Sequence, residues 1–202
     1  MNYPTYDIEE AVKSKGFRYI AGVDEAGRGP GAGPVVAAAA VIPEEIIPDL
    51  LLKVNDSKKL TAKRRETLYP IIMEKCDIGV GLVSSDTIDE INILQATKLA
   101  MTEALSNLNS VDYAVIDGTV VLNDLWVPQD QVVKGDNKSI SVAAASIIAK
   151  VVRDRVMLDL HDIFPIYGWD TNKGYLTKKH MNAIETYGIT EFHRVSFRKV
   201  GR

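Results

Sequence analysis

The chain has 202 residues, 46% hydrophobic and 25% charged, with a net charge of −3. That length supports one sizeable core rather than two full domains. A single cysteine, Cys76, excludes an intramolecular disulfide and a Cys-rich zinc site, and no apolar run reaches the roughly 18 residues of a membrane span. A soluble, cytoplasmic protein is expected. The charge is uneven: Lys134 to Arg202 carries 12 Lys/Arg against 7 Asp/Glu, and the rest carries 12 against 20. A basic C-terminal third could meet a phosphate backbone; ordinary surface variation explains it equally well.

In chain order, Tyr19 to Val23 is a short apolar run that reads as a buried strand ending at Asp24. The turn-rich AGRGPGAGP follows, and Val35 to Ile42 reads as a second strand, paired with the first as a hairpin. Ala62 to Cys76 reads as a helix with Leu68, Ile71, Ile72 and Met73 inward, and Ile78 to Val83 as a strand. Ile91 to Leu108 is a helix, with Leu94, Met101, Leu105 and Leu108 on one face. Tyr113 to Ile116 is a strand ending at Asp117-Gly118, and Gln131 to Val133 a short further one. Ser139 to Leu160 is the longest helix; its first half is apolar or small all round and should be buried on most sides. A turn at Pro165 to Gly168 and a helix near Lys178 to Thr186 close the series. The order implies an α/β fold with a mixed sheet, over residues 1–160, and a small helical segment over 161–202 packed on the same domain.

Four carboxylates fall where ligands gather in such folds, at strand ends and helix starts. Asp24 and Glu25 end the first strand, Asp117 ends a later one, and Asp136 precedes the long helix. Gathered at one sheet edge, they could hold two hard cations for phosphodiester hydrolysis. Each has a plainer reading: a solvated strand end for Asp24 and Glu25, a turn at Asp117, a helix cap at Asp136. Asp24 directly follows an apolar run, however, and a buried carboxylate needs a partner. Neighbours in a regular strand face opposite ways, so Asp24 and Glu25 share a site only if the strand breaks there.

The run Gly27-Arg28-Gly29-Pro30-Gly31-Ala32 fits the loose G-x-G-x-x-A fingerprint of dinucleotide sites. That reading fails. The fingerprint must open a helix, whereas Pro30 and Pro34 break one and VVAAAAVI is strand-like. Two carboxylates before the loop would also repel a pyrophosphate. What remains is a backbone that approaches something closely, either a sugar 2′-OH or merely the other arm of a hairpin.

Taken together, GVDEAGRGPGAGPVVAAA, DSKKL, IDG, KGDNKSISVAAASIIAKVVRDR, KGYLTKKH and HRVSF resemble ribonuclease HII, the bacterial type 2 ribonuclease H, from about Gly16 to Val200. The resemblance implies a ribonuclease H-like mixed sheet flanked by helices. It implies an endoribonuclease that cuts 5′ to a ribonucleotide in RNA/DNA hybrids or duplex DNA, leaving 3′-hydroxyl and 5′-phosphate ends. Mg²⁺ or Mn²⁺ would be held in a two-metal site by Asp24, Glu25, Asp117 and Asp136. Gly27, Arg28 and Gly29 would contact the ribonucleotide, and Tyr175 the sugar of the next deoxynucleotide. Lys58, Lys134 and the Ser139 hydroxyl would meet backbone phosphates. A monomer is implied. The residues after Phe197 show no glutamine-led, aromatic-ended sliding-clamp motif. Type 3 relatives have an extra N-terminal domain and lack Gly-Arg-Gly, and are set aside.

Four departures from the family pattern stand out: Gly31, where an apolar side chain is usual; Asn172, where His is common; Leu176, where a small residue is common; and Val195, where a basic residue is frequent. Of the other candidates, His161, His180 and His193 read as structural or surface residues, and Trp169 as core. A different nuclease on the same fold, or a nucleic-acid-binding module without turnover, are the rival readings.

Overall fold

In the computed structural model, which describes residues 3–51 and 53–200, five strands form one mixed sheet in the order β3-β2-β1-β4-β5. The outermost residues of both expected segments, 1–2 and 201–202, lie outside the described residues. β1 (Ile20–Ala26) and β2 (Val35–Val41) make the expected antiparallel hairpin, and β3 (Asp77–Val83) extends it. β4 (Tyr113–Asp117) and β5 (Gln129–Val132) run parallel to β1 on its other side. β1 is therefore central, and the carboxyl ends of β1 and β4 lie side by side.

Seven α-helices accompany the sheet among the described residues: α1 (Asp7–Lys13), α2 (Ile47–Leu50), α3 (Ala62–Lys75), α4 (Ser85–Ser106), α5 (Ile140–Ile163), α6 (Trp169–Asn172) and α7 (Lys178–Tyr187). The four longest start at hydroxyl caps. Thr61, Ser84, Ser139 and Thr177 accept from the N–H of Arg64, Thr87, Val142 and His180, each satisfying a donor the first turn leaves open.

The alternation along β2 divides the core into two layers. Val35, Ala37, Ala39 and Val41 pack with Ala96, Ala100, Met101, Ala104 and Leu105 of α4. Ala38 and Ala40 pack with α5 and α3. Small residues bring the helices against the sheet. A Cβ on Gly22 would overlap the backbone of Ser141 and Val142, and Cβ atoms on Gly79 and Gly81 would overlap the carbonyls of Ala104 and Ala100. The α5 backbone thus lies directly on β1, which is why its first half has no solvent face.

The structure corrects three details. α4 begins at Ser85 rather than Ile91 and breaks at Asn92, where φ is +67°; the Asn92 side chain accepts from the N–H of Leu94 and Gln95 and restarts the helix. Leu94, at the edge of the apolar stripe just after this restart, is 42% exposed. Met73 of α3, expected inward, is exposed as well, leaving Leu68 and Ile72, with the half-buried Ile71, to carry that face. β5 begins at Gln129, two residues before the expected strand.

The C-terminal elements build a third cluster from Met157, Leu160, Tyr167, Trp169 and Ala183. His180 and His193 lie inside it, with Nε2 atoms 3.1 Å apart. Their tautomers follow from their neighbours. Trp169 Nε1–H donates to His180 Nε2, so the His180 proton sits on Nδ1 and goes to the Tyr175 carbonyl. The Thr190 N–H donates to His193 Nδ1, so the His193 proton sits on Nε2 and goes to His180. Both rings are neutral, and a proton added to either one breaks a bond. Burial, then the facing His180, pulls His193 down to about 4, and burial also lowers His180. The sign follows from linkage. Between about pH 6.5 and 4 the unfolded chain takes up a proton that folded His193 refuses, so this stability is complete above pH 6.5 and lost as pH falls towards 4. A shift of that size corresponds to about 3 kcal/mol. The urea midpoint of His193→Asn, followed from pH 7.5 to 4.5, should fall less steeply than that of the parent; parallel curves would show that the pair does not titrate in this way.

Among the described residues no helix is long and apolar enough to cross a membrane.

Candidate active site

Asp24 and Glu25 lie at the end of β1, where pairing with β4 stops at Val23 and Ile116. Asp117 is the next residue of β4. Its Oδ1 accepts the N–H of Gly135 at 2.6 Å, tying the short turn Gly135–Asn137, and with it Asp136, to the same sheet edge. Lys134, before that turn, adopts the left-handed conformation at φ +57° and is exposed. The four acids predicted from sequence thus converge from three separate stretches of chain. β1 does not break at these neighbours as expected: Asp24, Glu25 and Ala26 stay paired with Ala38, Ala37 and Val36 of β2, while Glu25 N–H donates back to Asp24 Oδ1 at 2.7 Å and the half-buried Glu25 reaches Arg28 at 3.3 Å.

The electrostatics are unfavourable to the acids as they stand. Burial, then the charges of Glu25 and Asp117, push Asp24 well above the ordinary carboxylate range, against the opposing Glu25 N–H and Ser146 hydroxyl. Burial raises Glu25 too, with Arg28 pulling the other way. Asp136 is raised by burial and then by Asp56 and Asp117. Asp56 is thus a fifth carboxylate in the field, unnoticed in the sequence because DSKKL looks like a solvated turn. Its Oδ1 accepts the Lys58 N–H and so orders that loop. At Lys58, partial desolvation is outweighed by Asp24, Asp56, Asp136 and Glu25, which hold the ammonium above its usual value.

Such a group of oxygen donors in mutual repulsion suits a hard cation. No set of three or more His, Cys, Asp or Glu among the described residues is disposed to hold one ion by itself. Mg²⁺ takes one or two carboxylates and completes its shell with water and phosphate oxygens.

Beside the acids opens a cleft lined by Asp24, Glu25, Gly27, Arg28, Gly29, Lys58, Lys150 and Tyr175. The glycine loop leads into β2, not into a helix, so the rejected dinucleotide reading stays rejected. The half-exposed Tyr175 ring stands over Gly29, 3.4 Å from where a Cβ would be. Asn172 shapes the turn under it: its Oδ1 accepts the Gly174 N–H, its Nδ2 donates to the Tyr167 carbonyl, and its carbonyl accepts the Tyr175 N–H.

Ser139 is placed differently from its expected part. It is fully buried, donates to Glu9 Oε1 at 2.6 Å and caps α5 through the Val142 N–H. No surface of it is left for a phosphate. Two further groups were missed in the sequence, the buried guanidiniums of Arg153 and Arg194. The signal was present for Arg153, which follows Ser146 and Ala149 at spacings of seven and four on the buried face of α5.

The ribonuclease HII family profile matches residues 21–200, nearly the whole described chain. The chain belongs to the ribonuclease HII family. It is 49% identical over 201 residues to a ribonuclease HII of Paracoccus denitrificans, covering 99% of this chain and 94% of that protein. It superposes with a TM-score of 0.77 on the ribonuclease HII solved in complex with PCNA from Archaeoglobus fulgidus, at 30% identity over 90% of this chain and 96% of the other. The fold alone is shared with Bst ribonuclease HIII, solved in complex with Mn²⁺: TM-score 0.73, 21% identity, 91% of this chain and 68% of the other. Membership makes the chain a ribonuclease H, a hydrolase acting on RNA/DNA hybrids, and the five-stranded sheet flanked by helices is the ribonuclease H-like architecture.

Two of the departures from the family pattern account for each other. A Cβ on Gly31 would come within 2.7 Å of Leu176 Cδ2 and 2.9 Å of Val200 Cγ2. The larger residue at 176 occupies the volume that a side chain at 31 would fill, so the contact between the glycine loop and the Tyr175 turn is kept with its two halves exchanged. At Val195 it is the backbone that bonds, its N–H donating to Asp89 at 2.8 Å. Nothing in the structure explains the loss of a basic side chain there.

Proposed function

We propose that the chain hydrolyses the phosphodiester on the 5′ side of a ribonucleotide, within RNA/DNA hybrids or embedded singly in duplex DNA, leaving 3′-hydroxyl and 5′-phosphate ends. The observation that carries this reading is the convergence of Asp24, Glu25, Asp117 and Asp136 at one sheet edge, directly beside the Gly27–Gly29 loop. Those four acids would hold Mg²⁺ or Mn²⁺. Two such ions, when bound, would supply an activated water and offset charge on the departing 3′ oxygen. Gly27, Arg28 and Gly29 approach the sugar and read its 2′-OH, the one group that separates RNA from DNA. Tyr175 packs against the adjoining deoxyribose. Lys58 and Lys134, both exposed, meet phosphates and set the strand's register. Such an activity would remove RNA from hybrids and begin the repair of misincorporated ribonucleotides in replicated DNA.

The test is a labelled DNA duplex carrying one ribonucleotide, incubated with the protein and Mg²⁺ or Mn²⁺. One incision is expected, immediately 5′ to the ribonucleotide, with none in the all-DNA duplex and none under EDTA. Equal cutting of both duplexes would instead favour another nuclease on this fold, and binding without turnover a non-enzymatic module.

A further inference from the structure

Arg153 and Arg194 are buried, with 1% and 0% of their surface exposed, and among the described residues neither has an ion-pair partner. Both spend their guanidinium N–H groups on backbone carbonyls. Arg194 donates from Nη2 to Gly27 at 2.7 Å, from Nη1 to Arg28 at 3.2 Å and from Nε to Gly33 at 2.9 Å. Arg153 donates from Nε to Pro34, from Nη2 to Ala32 and from Nη1 to Lys173. The fit is close: a Cβ on Gly27, which sits at φ +99°, would fall on Arg153.

One covalent fact turns this arrangement into a prediction about recognition. A trans peptide is planar, with its C=O and N–H pointing opposite ways, and the described chain contains no cis peptide. When Arg194 draws the carbonyls of Gly27 and Arg28 inward, the N–H groups of Arg28 and Gly29 must point away from Arg194, and the loop that carries them lines the cleft, whereas Arg194 does not. Among the described residues no acceptor meets either of them. Two successive outward N–H groups form a donor pair for an oxygen.

We propose that Arg194, supported by Arg153, is a positioning residue for sugar recognition: its fork holds two inward carbonyls of the glycine loop and so aims the Arg28 and Gly29 N–H groups at the ribonucleotide. The inference rests on the proposed function, since it names what sets the reading loop. Burial lowers Arg153 to about 10 and Arg194 to about 9, the latter also through the charge of Arg153, so both stay cationic at neutral pH and favour an electronegative atom before the loop. Charge alone is not sufficient. A lysine keeps the charge and cannot span two carbonyls with a rigid fork.

The experiment is binding without turnover. Fluorescence anisotropy in EDTA compares a duplex carrying one ribonucleotide with the same all-DNA duplex, for the parent, R194K and R153K. The parent should prefer the ribonucleotide duplex. R194K should lose that preference by about tenfold, the usual reach of one or two mispresented hydrogen bonds, while its affinity for all-DNA duplex changes less than twofold. R153K, whose carbonyls lie further along the loop, should lose less. A preference unchanged in R194K overturns the proposal, and so does an equal loss on both duplexes, which would mark a general role in stability or charge. A parent with no preference would sink the functional reading itself, a separable result. If R194K fails to fold, the amide resonances of Arg28 and Gly29 in the parent decide. They should shift on adding the ribonucleotide duplex and stay in place with all-DNA duplex; any other pattern overturns the assignment.

Discussion

Asp24→Asn is expected to lose turnover by at least about a thousandfold and yet to melt higher than the parent in the absence of divalent ions. The two halves have one cause. Asp24 is 6% exposed at the end of an apolar strand, and burial with the charges of Glu25 and Asp117 holds its pKa well above normal. For an acid raised in the folded state, the unfolded chain gives up its proton more readily, so this term costs stability at neutral pH and the cost shrinks as pH falls. Asn keeps the Oδ1 that accepts the Glu25 N–H and discards the charge. A gain of about 1 kcal/mol would appear as about 3 °C in a chain of this size. Scanning calorimetry in EDTA and then in Mn²⁺ checks both halves. Mn²⁺ should raise the parent's midpoint and leave the variant's nearly unchanged. A variant that melts lower in EDTA, or gains as much from Mn²⁺ as the parent, contradicts the account.

Gly22→Ala should be strongly damaging for a single added methyl group. The added carbon would collide with the backbone of Ser141 and Val142, which cannot rotate aside as a side chain would. Overpacking of a filled core costs roughly 1–3 kcal/mol and occasionally more, and here the upper end applies because a helix of 24 residues must shift as one body. About 10 °C off the midpoint is expected. Turnover should fall too. Asp24 lies two residues beyond Gly22 on the same face of β1, and Asp136 immediately precedes α5. Lifting that helix separates the two carboxylates. A Gly22→Ala protein with parental melting and activity would mean that α5 does not seat on β1 as described.

These two residues also show what a sequence discloses and what it withholds. Asp24 was legible because a charge straight after an apolar run is conspicuous, and its partners Glu25, Asp117 and Asp136 were found by the same rule at strand ends and a helix start. Gly22 was silent, because a glycine inside an apolar strand reads as neutral until the helix above it is known. Arg194 was silent for a related reason: the carbonyls it binds lie more than 160 residues away along the chain, and main-chain acceptors leave no mark in a pattern of side chains. Ser139 misled by the opposite route. The family resemblance implied a phosphate contact for its hydroxyl, while the partner that claims it, Glu9, sits 130 residues earlier. The longer elements followed from local periodicity, but the short α1, α2 and α6 went unread, and Asn92 broke a helix that apolar spacing alone describes as one later piece.

The short bridge between Ala32 and His193, flanked by the bonds Gly33 N–H to Phe192 and Arg194 N–H to Gly31, separates two kinds of failure. The acids are set by β1, β4 and the turn before α5, whereas this bridge touches only the glycine loop. Local opening of 190–194 would therefore leave the carboxylates together while releasing the loop beside them, so damage to the bridge should disturb what is bound before it disturbs how the acids are grouped.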